Sequence, residues 1–282
     1  MRQGNAEIAG QTFVSGNPSD CFPTRLSPDG GRALLTTTFA HMFCVKVAFD
    51  AAGNGAAVGS SADAGFPVTS NAIQPSLRGS RNAVVVKFDG GGAAIYASYL
   101  GGSGSDAATT VGFDADGNLY VAGTATSKDF PTTTGAYQTA FQANCPCPTD
   151  YIGTGLIGGI PITVNQNAFL TKLDPSGALV FSTYLGGNCN DTTSSIAVDA
   201  GGDAWVAGFT YSSTFPMVWP ADAAGPVASS SKGFVTRFAA SGAWVWRSSY
   251  LRGYPTQALA ADAAGNVYIG ITGGLLKVTP QP

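Results

Sequence analysis

An all-β fold is what this sequence predicts, and three observations carry the prediction. One hairpin-like segment recurs four times along the 282 residues. Each copy alternates apolar and polar residues on both sides of an Asp-x-x-Gly turn, the period-two signature of paired strands. The composition, with 38 Gly and 16 Pro but only 11% charged residues, suits short strands and tight turns rather than long solvent-facing helices.

The four copies are "VAFDAAGNGAAVG" from Val47, "VGFDADGNLYVAG" from Val111, "IAVDAGGDAWVAG" from Ile196 and "LAADAAGNVYIG" from Leu259. Asp, Gly and Asn tolerate the left-handed turn positions and bond the turn backbone, so each copy reads as strand a, turn, strand b. A second hairpin follows three of them: "VVVKFDGGGAAIYASYLGG" from Val84, "FLTKLDPSGALVFSTYLGG" from Phe169 and "FVTRFAASGAWVWRSSYLRG" from Phe234. It supplies strands c and d, so one repeat is four antiparallel strands. Weaker copies lie at both ends. "QTFVSG" from Gln11 resembles strand b, "FPTRLSPDGGRALLTTTFA" from Phe22 resembles c and d, and "LLKVTP" from Leu275 resembles c.

The turn aspartates Asp50, Asp114, Asp199 and Asp262 stand 64, 85 and 63 residues apart, longer than the ~40 to 45 residues of a common propeller blade. The excess falls in the b-to-c loops. Each loop carries a Phe-Pro pair 16 residues after its turn aspartate: Phe66-Pro67, Phe130-Pro131 and Phe215-Pro216. A tandem four-stranded unit buries both sheet faces only against its neighbours, and the arrangement that does so is a β-propeller. A stacked solenoid would need shorter, more regular repeats. The expected domain is a single propeller over 1–282, with a partial blade at 11–42, full repeats at 43–102, 103–187 and 188–253, and a partial blade at 254–280.

The run "FLTKLDPSGALVFSTYLGG", the "IAVDAGGDAWVAG" hairpin and the "DFPTTTGAYQ" loop together resemble the bacterial SBBP repeat, a family expected to form seven-bladed propellers. The resemblance covers Phe43 to Pro280 and weakens before residue 43 and in "FPMVWPADAAG". It implies a propeller in secreted or surface-exposed bacterial proteins and supplies no catalytic residues. The chain shows about five repeat-equivalents, so the expected form is a propeller of about five blades, the alternative being an arc of a larger seven-bladed one. Both ends carry strands b and c and so cannot merge cleanly into one closing blade.

Composition excludes some functions. Net charge is -3 and the 14 basic residues are scattered, which argues against a nucleic-acid partner. No apolar run reaches the ~18 residues needed to span a bilayer. "MRQGNAEIAG" has no signal-peptide core, so export would make this chain a mature form or a fragment. Of five cysteines, Cys145, Cys147 and Cys189 fall in loops. One or two disulfides are expected, with Cys189 bonded to Cys145 or Cys147, in a secreted, periplasmic or cell-surface setting.

Candidate chemistry is sparse. His41 is the single histidine, so a multi-histidine metal site is impossible and no Ser-His-Asp motif surrounds it; a structural role is expected. Asp114, Asp116 and Asn118 are spaced like the start of a calcium loop. Such a loop needs about twelve residues ending in a Glu, however, and the only Glu is Glu7. Asp106 and Asp191, each eight residues before its turn aspartate, are expected to bond backbone amides at the d-to-a crossover. Arg25, Lys87, Lys172, Arg237 and Lys277 recur in strand c; a solvated face or ion pairs with a neighbouring blade's Asp are expected, the alternative being a ring of positive charge that attracts an anion. Trp219, Trp244 and Trp246, with Tyr137 and Tyr151 in the long loop, are the expected binding surface. The sequence therefore points to no enzyme, no cofactor and no bound metal. It points to a non-catalytic extracellular or cell-surface scaffold that binds a protein or glycan through its b-to-c loops. The alternative is a propeller glycoside hydrolase or lyase using axial carboxylates.

Overall fold

The structure is a computed structural model that describes residues 6–12, 20–144, 165–216, 232–242, 245–251, 256–262, 264–271 and 274–279. It is all-β, built of antiparallel sheets that resemble propeller blades. The first sheet contains β1 (Ala6–Thr12), β2 (Asp20–Leu26) and β3 (Ala33–Thr36). The second contains β4 (Phe43–Phe49), β5 (Gly55–Ser61), β6 (Asn82–Phe88) and β7 (Ala94–Leu100). The third contains β8 (Asp106–Phe113), β9 (Leu119–Ala125), β10 (Asn167–Leu173) and β11 (Leu179–Leu185). The fourth contains β12 (Asp191–Val198), β13 (Ala204–Thr210), β14 (Lys232–Phe238) and β15 (Val245–Leu251). The fifth contains β16 (Thr256–Ala261), β17 (Val267–Ile271) and β18 (Gly274–Val278). In every sheet, strands pair in chain order.

The Asp-x-x-Gly motifs close the a-to-b hairpins as their chemistry requires. Asp114 N donates to Asn118 O at 3.1 Å, Gly117 N donates back to Asp114 O at 3.2 Å, and Gly117 takes φ 80°. That left-handed conformation strains any residue with a Cβ. The first strand departs from expectation: β1 begins at Ala6, five residues before "QTFVSG", because Ala6 to Thr12 pairs residue for residue with Leu26 to Asp20.

Strands β5, β6 and β10 are buried along their whole length, since each sheet packs face to face on the next. Four apolar clusters fill the gaps between consecutive sheets. They centre on Val84, Val86 and Phe88; on Val58, Val111 and Phe169; on Leu170, Val206 and Phe234; and on Trp205, Val267 and Ile269. Small residues set the approach. A Cβ on Gly177 would stand 2.2 Å from the Tyr96 ring, and one on Gly242 would stand 2.2 Å from Phe181. The c-to-d turns of the third and fourth sheets thus seat against an aromatic of the preceding sheet, and that of the second, at Gly92, seats against Thr37 and Leu35 of the first.

The first two sheets are also covalently linked. Cys21 on β2 and Cys44 on β4 form a disulfide with Cα atoms 5.1 Å apart, a pairing the sequence reading did not foresee. Closing a loop of 23 residues stabilises the folded state by roughly 3 kcal/mol in the chain-entropy picture. Cys189 is disulfide-bonded as well; Cys145 and Cys147, its expected partners, lie outside the described residues.

Candidate active site

The first strand of each sheet starts at a junction with the preceding sheet, and two of these junctions are built alike. Asp106 opens β8 and Asp191 opens β12, both fully buried. Asp106 accepts bonds from Gly102 N at 2.8 Å, Ser127 Oγ at 2.7 Å, Thr126 N at 3.1 Å and Asn82 Nδ2 at 3.3 Å. Asp191 accepts from Gly187 N at 2.8 Å, Ser212 Oγ at 2.9 Å, Asn167 Nδ2 at 3.1 Å and the Thr210 hydroxyl. Burial raises the Asp106 pKa and pushes Asp191 up to about 7, while the hydrogen bonds pull the other way. Every donor around these acids is neutral and engaged, so both junctions are closed structural ties.

The junction between the first two sheets breaks this pattern. Register from the turn aspartates puts Met42 where Asp106 and Asp191 stand, Asp63 in place of Ser127 and Ser212, and His41 in place of Ser105 and Asn190. Register from the strand c cations puts Asp20 in place of Asn82 and Asn167. Met42 is 1% exposed and seals the core side with an apolar chain. The acids are thereby displaced to positions beside the single histidine.

His41 Nδ1 lies 2.7 Å from Asp63 Oδ2, with the two side chains 38% and 34% exposed. Asp63 is held by Gly65 N at 2.7 Å. That backbone bond and the imidazole keep its carboxyl below the usual range, so Asp63 is an anion at neutral pH. A carboxylate accepts only, so Nδ1 donates and the free lone pair belongs to Nε2. His41 is also the only non-glycine among the described residues with positive φ, at 62°. Its backbone is pinned from both sides: His41 N donates to Asp20 Oδ1 at 3.1 Å, and Ser61 Oγ donates to His41 O at 2.5 Å. Ser61 Oγ in turn accepts from Asp63 N at 3.1 Å. A strained backbone fixed by several partners is characteristic of functional positions.

The pair opens into a cavity of about 500 Å³ lined by His41, Met42, Phe43, Ser60, Asp63 and Arg81 among others, within the range of small-molecule sites. Phe43, the first residue of β4, is 43% exposed there. The imidazole, the carboxylate, a guanidinium and an exposed ring thus share one cavity, which sequence reasoning missed. His41 and Asp63 are 22 residues apart, and His41 precedes the point from which the repeat is easily aligned. The signal that could have found them is the loss of Asp at position 42 together with its gain at position 63.

The other expected site residues fare differently. Asp114 Oδ1 accepts from the backbone N of Asp116 and Asn118 at 3.1 and 2.8 Å, and Oδ2 accepts from Asn118 Nδ2 at 2.7 Å. Asp50 with Asn54 and Asp262 with Asn266 repeat the arrangement, so the calcium-like spacing does turn chemistry. No group of three or more His, Cys, Asp or Glu is placed to hold a metal among the described residues. The strand c cations are spent inside the fold. Lys172 Nζ meets Asp114 at 3.4 Å, Arg237 meets Asp199 and Asp203 at 3.2 and 2.8 Å, and Lys87 Nζ donates to Pro175 O at 2.8 Å. Tyr137 is half-exposed and packs edge-on against Phe238, ring centroids 6.2 Å apart. Trp246 lies on β15, and Trp219, Trp244 and Tyr151 lie outside the described residues.

Solved structures similar to the chain include a protein named as a gluconolactonase, at 14% identity over 99% of this chain and 77% of that one, with a TM-score of 0.40. A glucose dehydrogenase matches at 11% identity over 99% and 100% of the two chains, TM-score 0.37. A point variant of Synechocystis apocarotenoid oxygenase matches at 11% over 95% and 52%, TM-score 0.40. These are names of catalysts, which runs against the expectation of a non-enzymatic, protein-binding structural scaffold. Such distant likeness lends this chain no particular activity; a catalytic reading has to rest on the His41 cavity. No curated protein sequence matches the chain. No helix among the described residues is long and apolar enough to cross a membrane. Residues 95–131, from β7 to the Phe130-Pro131 pair, match the model of the SBBP family, described as a beta-propeller repeat.

Proposed function

We propose that this chain is a propeller enzyme of the hydrolase or lyase class, acting on a glycan, in which His41 moves the proton and Asp63 orients and charges it. The observation that carries the reading is the His41 Nδ1 to Asp63 Oδ2 contact of 2.7 Å at the wall of a cavity of about 500 Å³. An imidazole whose Nδ1–H is held by a carboxylate presents Nε2 as a general base, an arrangement worth roughly 10² to 10⁴ in rate. The axial carboxylate pair of the alternative is replaced here by a dyad, because among the described residues the cavity is lined by one acid, Asp63. Asp106 and Asp191 are committed to their structural ties.

The five sheets are taken as five blades about one axis, with β4, β8, β12 and β16 innermost; contacts between these strands in successive sheets support the arrangement. A secreted, periplasmic or cell-surface setting is favoured by the Cys21–Cys44 disulfide and by disulfide-bonded Cys189. The test is turnover of a panel of neutral and acidic polysaccharides by wild type, His41→Gln and Asp63→Asn. Wild-type turnover that falls about 100-fold or more in His41→Gln, with unchanged thermal stability, is expected. Turnover that survives His41→Gln at full rate, or no turnover on any polymer, overturns the reading.

A further inference from the structure

We infer that the cavity takes a carboxylate-bearing sugar, a uronate unit of an acidic glycan, and that Arg81 binds its carboxylate so that the reaction at His41 is a β-elimination. The inference rests on the proposed dyad and adds the substrate class. Arg81 lines the same cavity as His41 and Asp63. Its position is rigid, because its backbone carbonyl accepts Asp106 N at 3.0 Å and Asn82 Nδ2 at 2.9 Å, directly before β6. Its side chain is exposed and has no hydrogen-bond or ion-pair partner among the described residues. The strand c cations are spent within the fold: Lys87, Lys172 and Arg237 on oxygens, Arg25 on Gly53 O at 3.3 Å, and Lys277 over the Tyr268 ring. Arg81 is therefore a guanidinium left available in a site that already holds a base, and its planar fork matches a carboxylate bidentately.

The acids decide between reaction classes. Hydrolysis of a glycoside by the usual route needs two carboxylates, one on each side of the bond, about 5 to 9.5 Å apart. Among the described residues the one acid lining the cavity is Asp63, and both its oxygens are engaged, by Gly65 N and by His41. Elimination needs one base and one cation. Nε2 of His41 removes the proton from the carbon beside the substrate carboxylate, and that C–H electron pair becomes a carbon–carbon double bond as the glycosidic C–O bond at the next carbon breaks. The departing oxygen takes the proton from the imidazolium, which returns His41 to its starting form. No water, oxidant or reductant is consumed. Negative charge builds on the carboxylate during proton removal, where Arg81 would stabilise it more in the transition state than in the ground state.

The probes are uronate polymers differing in sugar epimer, polygalacturonate and alginate among them, each as free acid and as methyl ester, read by the ultraviolet absorbance of the α,β-unsaturated uronate end. Wild type should generate unsaturated ends from at least one free acid. Arg81→Met should lower that rate on the order of 100-fold and affect the ester far less, with unchanged melting behaviour. Saturated ends formed in a His41-dependent reaction would overturn the elimination while leaving the dyad intact. Arg81→Met acting equally on acid and ester, or turnover of neutral glycans alone, would overturn the carboxylate assignment. Absence of any His41-dependent turnover would overturn both the dyad and this inference.

Discussion

The junction between the first two sheets and the junctions that follow it occupy the same place in the repeat and do opposite things with their acids. In the two later junctions opened by Asp106 and Asp191, an aspartate is buried at the head of the inner strand, ringed by Asn, Ser and backbone donors, and its pKa is raised by burial. In the first junction that position is Met42, the acids stand at Asp20 and Asp63, and Asp63 is partly exposed with its pKa lowered by hydrogen bonds. The scaffold survives the exchange because Met42 fills the buried volume and the Cys21–Cys44 disulfide clamps the same two sheets. One repeat is thereby released from a polar tie it no longer needs, and one of its displaced acids, Asp63, faces a cavity instead of a core.

The comparison is broken most forcefully by removing a buried tie. Asp191→Ala leaves Gly187 N, Asn167 Nδ2 and the hydroxyls of Thr210 and Ser212 without their acceptor, and should cost about 3 kcal/mol or more of folding stability by chemical denaturation. A loss under about 1 kcal/mol would show that this junction is no structural tie.

Protonation sharpens the contrast, because the two junctions respond with opposite sign. Asp191, raised to about 7, holds its proton more tightly folded than unfolded. Its stabilisation is complete below the ordinary carboxylate range and is lost as pH rises towards 7. Asp63, lowered, contributes stability that is present above that range and lost as pH falls below it. Asp191→Asn should flatten the decline in melting temperature between about pH 4 and 7, whereas Asp63→Asn should leave that decline in place, lower the melting temperature above the ordinary carboxylate range and converge with wild type as pH falls below it. Identical profiles for the two variants would contradict the contrast.

The smallest expected stability effect is at His41 itself. His41→Gly removes a left-handed side-chain penalty of roughly 1 kcal/mol and adds a similar backbone-entropy cost. Stability should therefore change by less than about 1 kcal/mol, while any turnover is lost. A large destabilisation would make His41 a structural residue, as the sequence alone suggested.

The repeat made the hairpins readable: Asp50, Asp114, Asp199 and Asp262 carry the same turn chemistry, so one copy corrects misreading of another. The calcium-like look of Asp114, Asp116 and Asn118 dissolved for that reason. Asp106 and Asp191 were legible as crossover ties for the same reason. The site was illegible because function here consists of departures from the repeat. Met42 and Asp63 each look ordinary alone, and His41 lies in the stretch where the repeat pattern fades. Their meeting depends on sheet packing that brings residues 22 apart to hydrogen-bond distance. The disulfide partner of Cys21 was equally hidden, since Cys44 reaches it only across two sheets.

The most direct test of the central claim is the tautomer of His41, read by ¹⁵N NMR. The chain has one histidine, so its ring nitrogens need no assignment. In the neutral ring the proton should sit on Nδ1, held by Asp63, with Nε2 bare, and Asp63→Asn should move the proton towards Nε2. A neutral wild-type ring protonated on Nε2, unchanged by Asp63→Asn, would contradict the dyad and with it the view that the first junction is a catalytic departure from a structural repeat.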